Sequence, residues 1–212
     1  MGHNRTAPLL EAGMKYRICA AILSCIVCIS FCHAEGKQKL SSSTPYNSII
    51  MMDPKDVDPS SLPLTSVSAL HSTGTPQVVS EYRWRLTIEG VGVSNPVSLT
   101  LKELDQFPGI KKRIILICPG FFYDYVEWEG VSLAALLQKA GAGDGYAKAT
   151  FTSVDGYTST FSKEEIRTHL LVVATRANGV PLPLEQGFPA RLVAEDIYGG
   201  RWVKYLTRIE LK

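Results

Sequence analysis

From Trp84 to the C terminus the chain keeps switching between short apolar or alternating runs and turns marked by Gly, Pro or Asn, and this punctuation leaves room only for a sheet-dominated domain. Trp84-Arg-Leu-Thr-Ile-Glu89 alternates like a half-buried strand, and Gly90 to Pro96 reads as a turn. Arg113-Ile-Ile-Leu-Ile-Cys118 is almost wholly apolar, which predicts a central strand covered on both faces. Lys148 to Val154 alternates again, Leu170 to Thr175 and Arg191 to Ala194 are further apolar strands, and Asn178-Gly179 marks a tight turn. Trp202 to Leu211 alternates over a long run, with Val203, Tyr205, Thr207, Ile209 and Leu211 on one face. Helices are few and short. Thr100-Leu-Lys-Glu103 and Ser162-Lys-Glu-Glu165 have the spacing of capping boxes, and Val131 to Ala140 carries Leu133, Leu136 and Leu137 on one face before Gly141. These elements predict an α+β domain over residues 81–212, built on a mixed sheet or barrel with a few short helices.

The N-terminal region has other chemistry. Residues 14–34 read as a basic segment, an apolar segment from Ile18 to Phe31, and a small-residue cleavage site with Cys32 and Ala34 at its −3 and −1 positions. The apolar stretch is shorter than the roughly 20 residues of a spanning helix. Residues 1–34 are therefore expected to be a signal peptide, and the product exported or periplasmic. Residues 1–13 fit no part of such a signal, which makes Met14 a candidate start. Phe31 is bulky where lipoprotein sites carry a small residue, which argues against acylation at Cys32. Residues 35–80 are rich in Ser, Thr and Pro without periodicity, an irregular arm or linker; Ile49-Ile-Met-Met52 is apolar enough to dock if the arm wraps the domain.

Removing residues 1–34 takes out Arg5, Lys15, Arg17 and Glu11, so the formal charge falls from +2 to zero. Bulk charge then points to no nucleic-acid or membrane-surface partner. The same cut removes four of the five cysteines and leaves Cys118, at the end of the apolar strand and before Pro119-Gly120. A lone thiol in an exported chain is inert and buried, paired with another chain, reactive, or bound to a metal. The chain has no P-loop, no GxGxxG after a strand, and no HExxH, CxxC or GxSxG. His169, alone among histidines in the domain, raises a Cys–His nucleophilic pair, although no third group is suggested.

Four segments, in order and spacing, resemble the oxidoreductase molybdopterin-binding domain, the fold of sulfite oxidase and of the periplasmic methionine-sulfoxide reductase catalytic subunit. They are Leu86 to Val91 with Leu99 to Pro108; Ile115 to Cys118 with Trp128 to Leu133; Phe151-Thr-Ser-Val-Asp-Gly-Tyr157; and Gly187-Phe-Pro-Ala-Arg-Leu-Val193 with Gly199-Gly-Arg-Trp-Val-Lys-Tyr205. The resemblance implies that Cys118 ligates molybdenum, whose other sulfurs come from a pterin dithiolene, a soft-ligand set suited to oxygen-atom transfer. It implies that Arg191 grips the pterin phosphate, that Trp202, Val203 and Lys204 contact the pterin, and that Ser153 and Gln186 contact the cofactor, Gln186 standing where relatives have asparagine. Asp155 and Tyr157 are expected near the substrate mouth, Asp155 as a catalytic candidate. Tyr123, Asp124 and Tyr125 follow Cys118 closely and stay unassigned. The implied activity is two-electron oxygen-atom transfer on a small oxyanion or sulfoxide, with electrons exchanged with a separate cytochrome or membrane subunit. The alternative is a cofactor-free domain of the same fold acting as a periplasmic binding or interaction module, which the short N-terminal region and the Pro-Gly after Cys118 favour.

Overall fold

The computed structural model describes Met1 and residues 36–212; the signal-peptide expectation falls outside the described residues. Residues 36–80 carry little regular structure: β1 (Gln38–Lys39) pairs in parallel with β2 (Val57–Asp58), and a single helical turn, α1 (Tyr46–Ile49), lies between them. Two five-stranded sheets follow. The first contains β5 (Ile110–Cys118), β6 (Phe122–Ser132), β9 (Leu171–Ala177), β10 (Val180–Pro181) and β11 (Arg191–Ala194), in the order β10-β9-β6-β5 with β11 also on β9. The second runs in the order β4 (Val97–Leu99), β3 (Leu86–Gly90), β12 (Leu206–Leu211), β7 (Lys148–Ser153) and β8 (Thr158–Ser162). Within these two sheets all pairs are antiparallel except β3 with β12, which makes the second sheet mixed.

Local chemistry accounts for the helices. In α2 (Leu101–Leu104) and α4 (Lys163–Thr168) the caps Thr100 and Ser162 accept from the backbone three residues on, and Glu103 and Glu165 reach back, so both capping boxes form. The helix expected from Val131 is α3 (Leu133–Lys139); Val131 still belongs to β6, and Ser132 caps α3. Asn178 and Gly179 both have positive φ and close the β9–β10 hairpin.

The position expected for Arg113–Cys118 is corrected. These residues form the last six of the nine residues of β5, an edge strand that pairs with β6 alone. The run is apolar because each face meets a different cluster. Ile114 and Leu116 enter the main core, whereas Ile115 and Ile117 pack with Tyr125 of β6 against Leu40, Ile49, Val57 and Leu62. Further bonds fasten the arm: Gly120 N–H to the Ile50 carbonyl at 2.9 Å, and Thr65 N–H to the Tyr125 carbonyl at 2.8 Å. The expected long strand from Trp202 is also shortened. Tyr205 has φ +51°, which breaks the pleat, and regular pairing starts at Leu206.

Candidate functional site

A cavity of about 320 Å³ opens where five segments converge. The β5–β6 hairpin brings Leu116, Cys118 and Phe122. The end of β7 and its loop bring Ser153, Asp155 and Tyr157. Gln186 and Arg191 come from the approach to β11, and Gly199, Gly200, Trp202, Lys204 and Tyr205 from the approach to β12. The last wall is the arm, residues 71–75. Of the residues singled out from the sequence, Cys118, Ser153, Asp155, Gln186, Arg191, Trp202 and Lys204 line this one space. Val203 does not: it is fully buried, and its carbonyl accepts from Leu192 N–H at 2.7 Å. Nor does His169, at the C-terminal end of α4, which leaves the Cys118–His169 pair without a shared site.

Two cations stand at the cavity. Arg191 is 3 % exposed. One of its terminal nitrogens donates to the Gln186 Oε1 (2.9 Å) and carbonyl (3.2 Å), and its guanidinium carbon lies 4.8 Å from the Trp128 ring centre and 5.5 Å from that of Trp202. Burial without a touching carboxylate pulls it down to about 10, so it stays charged at neutral pH. Lys204 donates to Ser72 Oγ (2.9 Å), the Thr73 carbonyl (2.9 Å) and the Glu185 carbonyl (2.7 Å). Burial, then Arg191, draws it down to about 8. Gly187, with φ +101°, allows this approach: a Cβ there would meet Lys204 Cβ at 2.9 Å.

The Cys118 thiol is half-buried. Burial and then Asp124 push its pKa up, while Lys204 and Arg191 pull it back. Tyr157 OH donates to the Gly200 carbonyl, and Tyr157 N–H to Asp155 Oδ1 at 3.0 Å, so the loop after β7 is tied to the loop before β12 across the mouth.

His71 and Asp124 carry no signal that assigns them from the sequence. Asp124 Oδ2 accepts His71 N–H at 3.0 Å, and Oδ1 stands 3.0 Å from its Nδ1. The imidazole stacks on Phe122, 4.7 Å between centroids and 12° apart. The two residues are 53 positions apart in the chain, and neither stands in a motif.

The residues fit an anionic ligand on two observations. Ser153 Oγ and Arg191 Nε are buried with no hydrogen-bond partner, a costly state that a ligand's polar groups would relieve. Gly200 leaves open space where a side chain would stand. Among the described residues no group of three His, Cys, Asp or Glu is placed to hold a metal ion by itself.

Comparison with known proteins agrees with this chemistry. The chain is 26 % identical over 155 residues to an uncharacterized oxidoreductase, YuiH, of Bacillus subtilis, covering 73 % of this chain and 78 % of that one. It is 30 % identical over 146 residues to the protein-methionine-sulfoxide reductase catalytic subunit MsrP of Gluconobacter oxydans, covering 60 % and 46 %. It is 25 % identical over 160 residues to mitochondrial sulfite oxidase of Mus musculus, covering 62 % and 29 %. The chain thus spans less than half of that MsrP and under a third of that sulfite oxidase. The sulfane dehydrogenase SoxCD of Paracoccus pantotrophus superposes with a TM-score of 0.64 at 20 % identity, covering 95 % of this chain and 56 % of that one, and so shares the fold. Residues 72–212 match the family model described as the oxidoreductase molybdopterin binding domain, and the chain belongs to that family.

Proposed function

We propose that this protein is an exported molybdenum-dependent oxidoreductase that transfers an oxygen atom to or from a small oxyanion or sulfoxide, with Cys118 as the protein's ligand to the metal. The carrying observation is that the thiol of Cys118, the buried Arg191, the half-buried Lys204, and Ser153, which like Arg191 has an unpartnered buried polar atom, line one cavity. A molybdenum–pterin group bound there would supply two-electron redox chemistry. The protein's own residues bind and orient. Cys118 must lose its proton to ligate a metal, and Arg191 and Lys204 favour the thiolate. The Arg191 fork and the Lys204 ammonium suit a pterin phosphate, with Arg191 Nε and Ser153 Oγ free to complete the contacts. Trp202 and Phe122 form apolar wall that limits water. Asp155 and Tyr157 stand on the loop that borders the mouth, where substrate arrives. Electrons pass to or come from a separate cytochrome or membrane subunit.

The test is elemental and pterin analysis of protein purified from its native host under molybdenum-replete growth, with Cys118→Ser alongside. Stoichiometric molybdenum in the wild type, lost in a folded Cys118→Ser, is the expected result. Absence of molybdenum and pterin from the wild type, or full metal retention by the variant, overturns the reading. Fractionation of cells expressing the full chain tests export. One observation favours the second reading, a cofactor-free binding module: every Lys204 hydrogen bond described already ends on a protein acceptor. It predicts that Cys118→Ser keeps all binding.

A further inference from the structure

Asp124 is the one carboxylate buried to 2 % exposure in the β5–β6 hairpin, and it stands on the cavity side of the sheet. It faces Leu116 across the strand pair, two residues from Phe122, which faces Cys118. A carboxylate so deeply buried needs donors, and both of its oxygens find them on the same residue. Oδ2 takes the His71 backbone N–H and Oδ1 takes Nδ1. The His71 carbonyl accepts from Gln186 Nε2 at 2.9 Å. The backbone N–H, the carbonyl and one ring nitrogen of His71 are therefore all engaged, while the ring lies flat on Phe122. His71 begins the arm segment that walls the cavity, and Ser72 and Thr73, next along it, accept from Lys204. Gln186 meanwhile holds Arg191 with its other amide atom. The arm wall and the two cations thus belong to one hydrogen-bonded network anchored on Asp124.

We propose that Asp124 is a positioning residue: by clamping both N–H groups of His71 it fixes residues 71–75 as the wall of the cavity and holds Gln186, and through it Arg191, in register for the ligand. The retention part of this proposal rests on the cofactor reading above; the clamp itself does not. The Nδ1–H bond is the specific element, because an asparagine side chain places a donor where Nδ1 stands and a glutamine side chain places one where Nε2 stands.

The experiment measures amide hydrogen exchange in the cofactor-free protein and pterin content in protein from the native host, for Asp124→Asn, His71→Asn and His71→Gln. Asp124→Asn cannot accept at both positions. It is expected to speed exchange at the amides of 71–75 by roughly tenfold or more while β5, β6 and β12 keep their protection, and to lower pterin content. His71→Asn is expected to keep wild-type protection and His71→Gln to lose it. Unchanged exchange in Asp124→Asn, or identical behaviour of the two His71 variants, overturns the clamp. A wild type free of pterin would refute the function proposed above, and the exchange data would still decide the clamp.

Discussion

Arg191 gives the sharpest separation between a residue kept for the fold and one kept for a ligand. Its guanidinium is buried with no carboxylate in contact and with Nε unpartnered. Burial draws its pKa down to about 10, so holding the charge there costs on the order of 3 kcal/mol. Stacking against Trp128 and Trp202 returns about 1 kcal/mol each. With its two hydrogen bonds to Gln186 counted, the balance is near zero, so Arg191→Met, which fills similar volume, changes stability little. The cofactor-free variant is therefore expected to lie within about 1 kcal/mol of the wild type, or about 2–4 °C in Tm for a domain of this size. Urea unfolding of the two cofactor-free proteins, followed by Trp fluorescence, measures this, and calorimetry with inorganic phosphate measures the paired loss of anion binding. Destabilisation by more than about 2 kcal/mol would refute the reasoning, because it would mean that the guanidinium is paid for within the fold.

Lys204 supplies a pH test. Held down to about 8, it is neutral above that pH in the free protein, and a bound anion restores its proton. Above pH 8, where inorganic phosphate is already the dianion, its affinity should fall by up to roughly tenfold per unit. Calorimetry at pH 8.5 in two buffers of different ionisation enthalpy should report proton uptake in the wild type and none in Lys204→Met; no uptake in the wild type refutes the coupling. Glu165 is depressed to about 2, chiefly by its hydrogen bond from Arg201, so it contributes stability above its ordinary 4.5 that is lost as pH falls toward 2. Glu165→Gln should lower stability at neutral pH and flatten the acid limb of a stability–pH curve in that window, so that the two curves converge as pH approaches 2. An unaltered acid limb counts against the ion pair.

Local rules carried well in this chain and tertiary ones did not. The two capping boxes, the Asn178-Gly179 turn and the alternation of β7 can be read from a few neighbouring residues. β6 gave no sign of itself: its core-facing residues include Asp124, and its opposite face carries Tyr123 and Tyr125 against the arm, so no alternation survives. β8 is Thr-Ser-Thr-Phe-Ser, whose buried positions are Ser159 and Phe161, too polar a pattern to stand out. Placing β5 at the centre of its sheet went astray because apolar residues record that a face is covered and not by what. At the site, Cys118, Ser153, Gln186, Arg191 and Lys204 were legible through motif order. His71 was hidden because it lies in a segment without periodicity, and its meaning depends on a contact with β6.

The arm carries the cavity wall, so its coupling to the rest of the fold decides whether that wall is permanent. Ile49 is fully buried between Leu40, Val57 and Leu62 on one side and Ile115, Ile117 and Tyr125 on the other. Truncation to alanine should cost about 2–5 kcal/mol at such a position. Where that cost appears depends on cooperativity. Trp84, Trp128 and Trp202 all sit in the main core and report its unfolding, whereas proteolysis within residues 36–75 reports release of the arm. If arm and core unfold as one unit, Ile49→Ala lowers the Trp-detected urea midpoint by the full amount, and both probes shift together. The hydrogen bonds that tie Gly120, Tyr125 and Asn178 to the arm, together with the second cluster on β5, favour that outcome. A Trp-detected midpoint that stays at the wild-type value while the arm becomes protease-sensitive would refute it, and would make residues 71–75 a wall that opens without unfolding the site it covers.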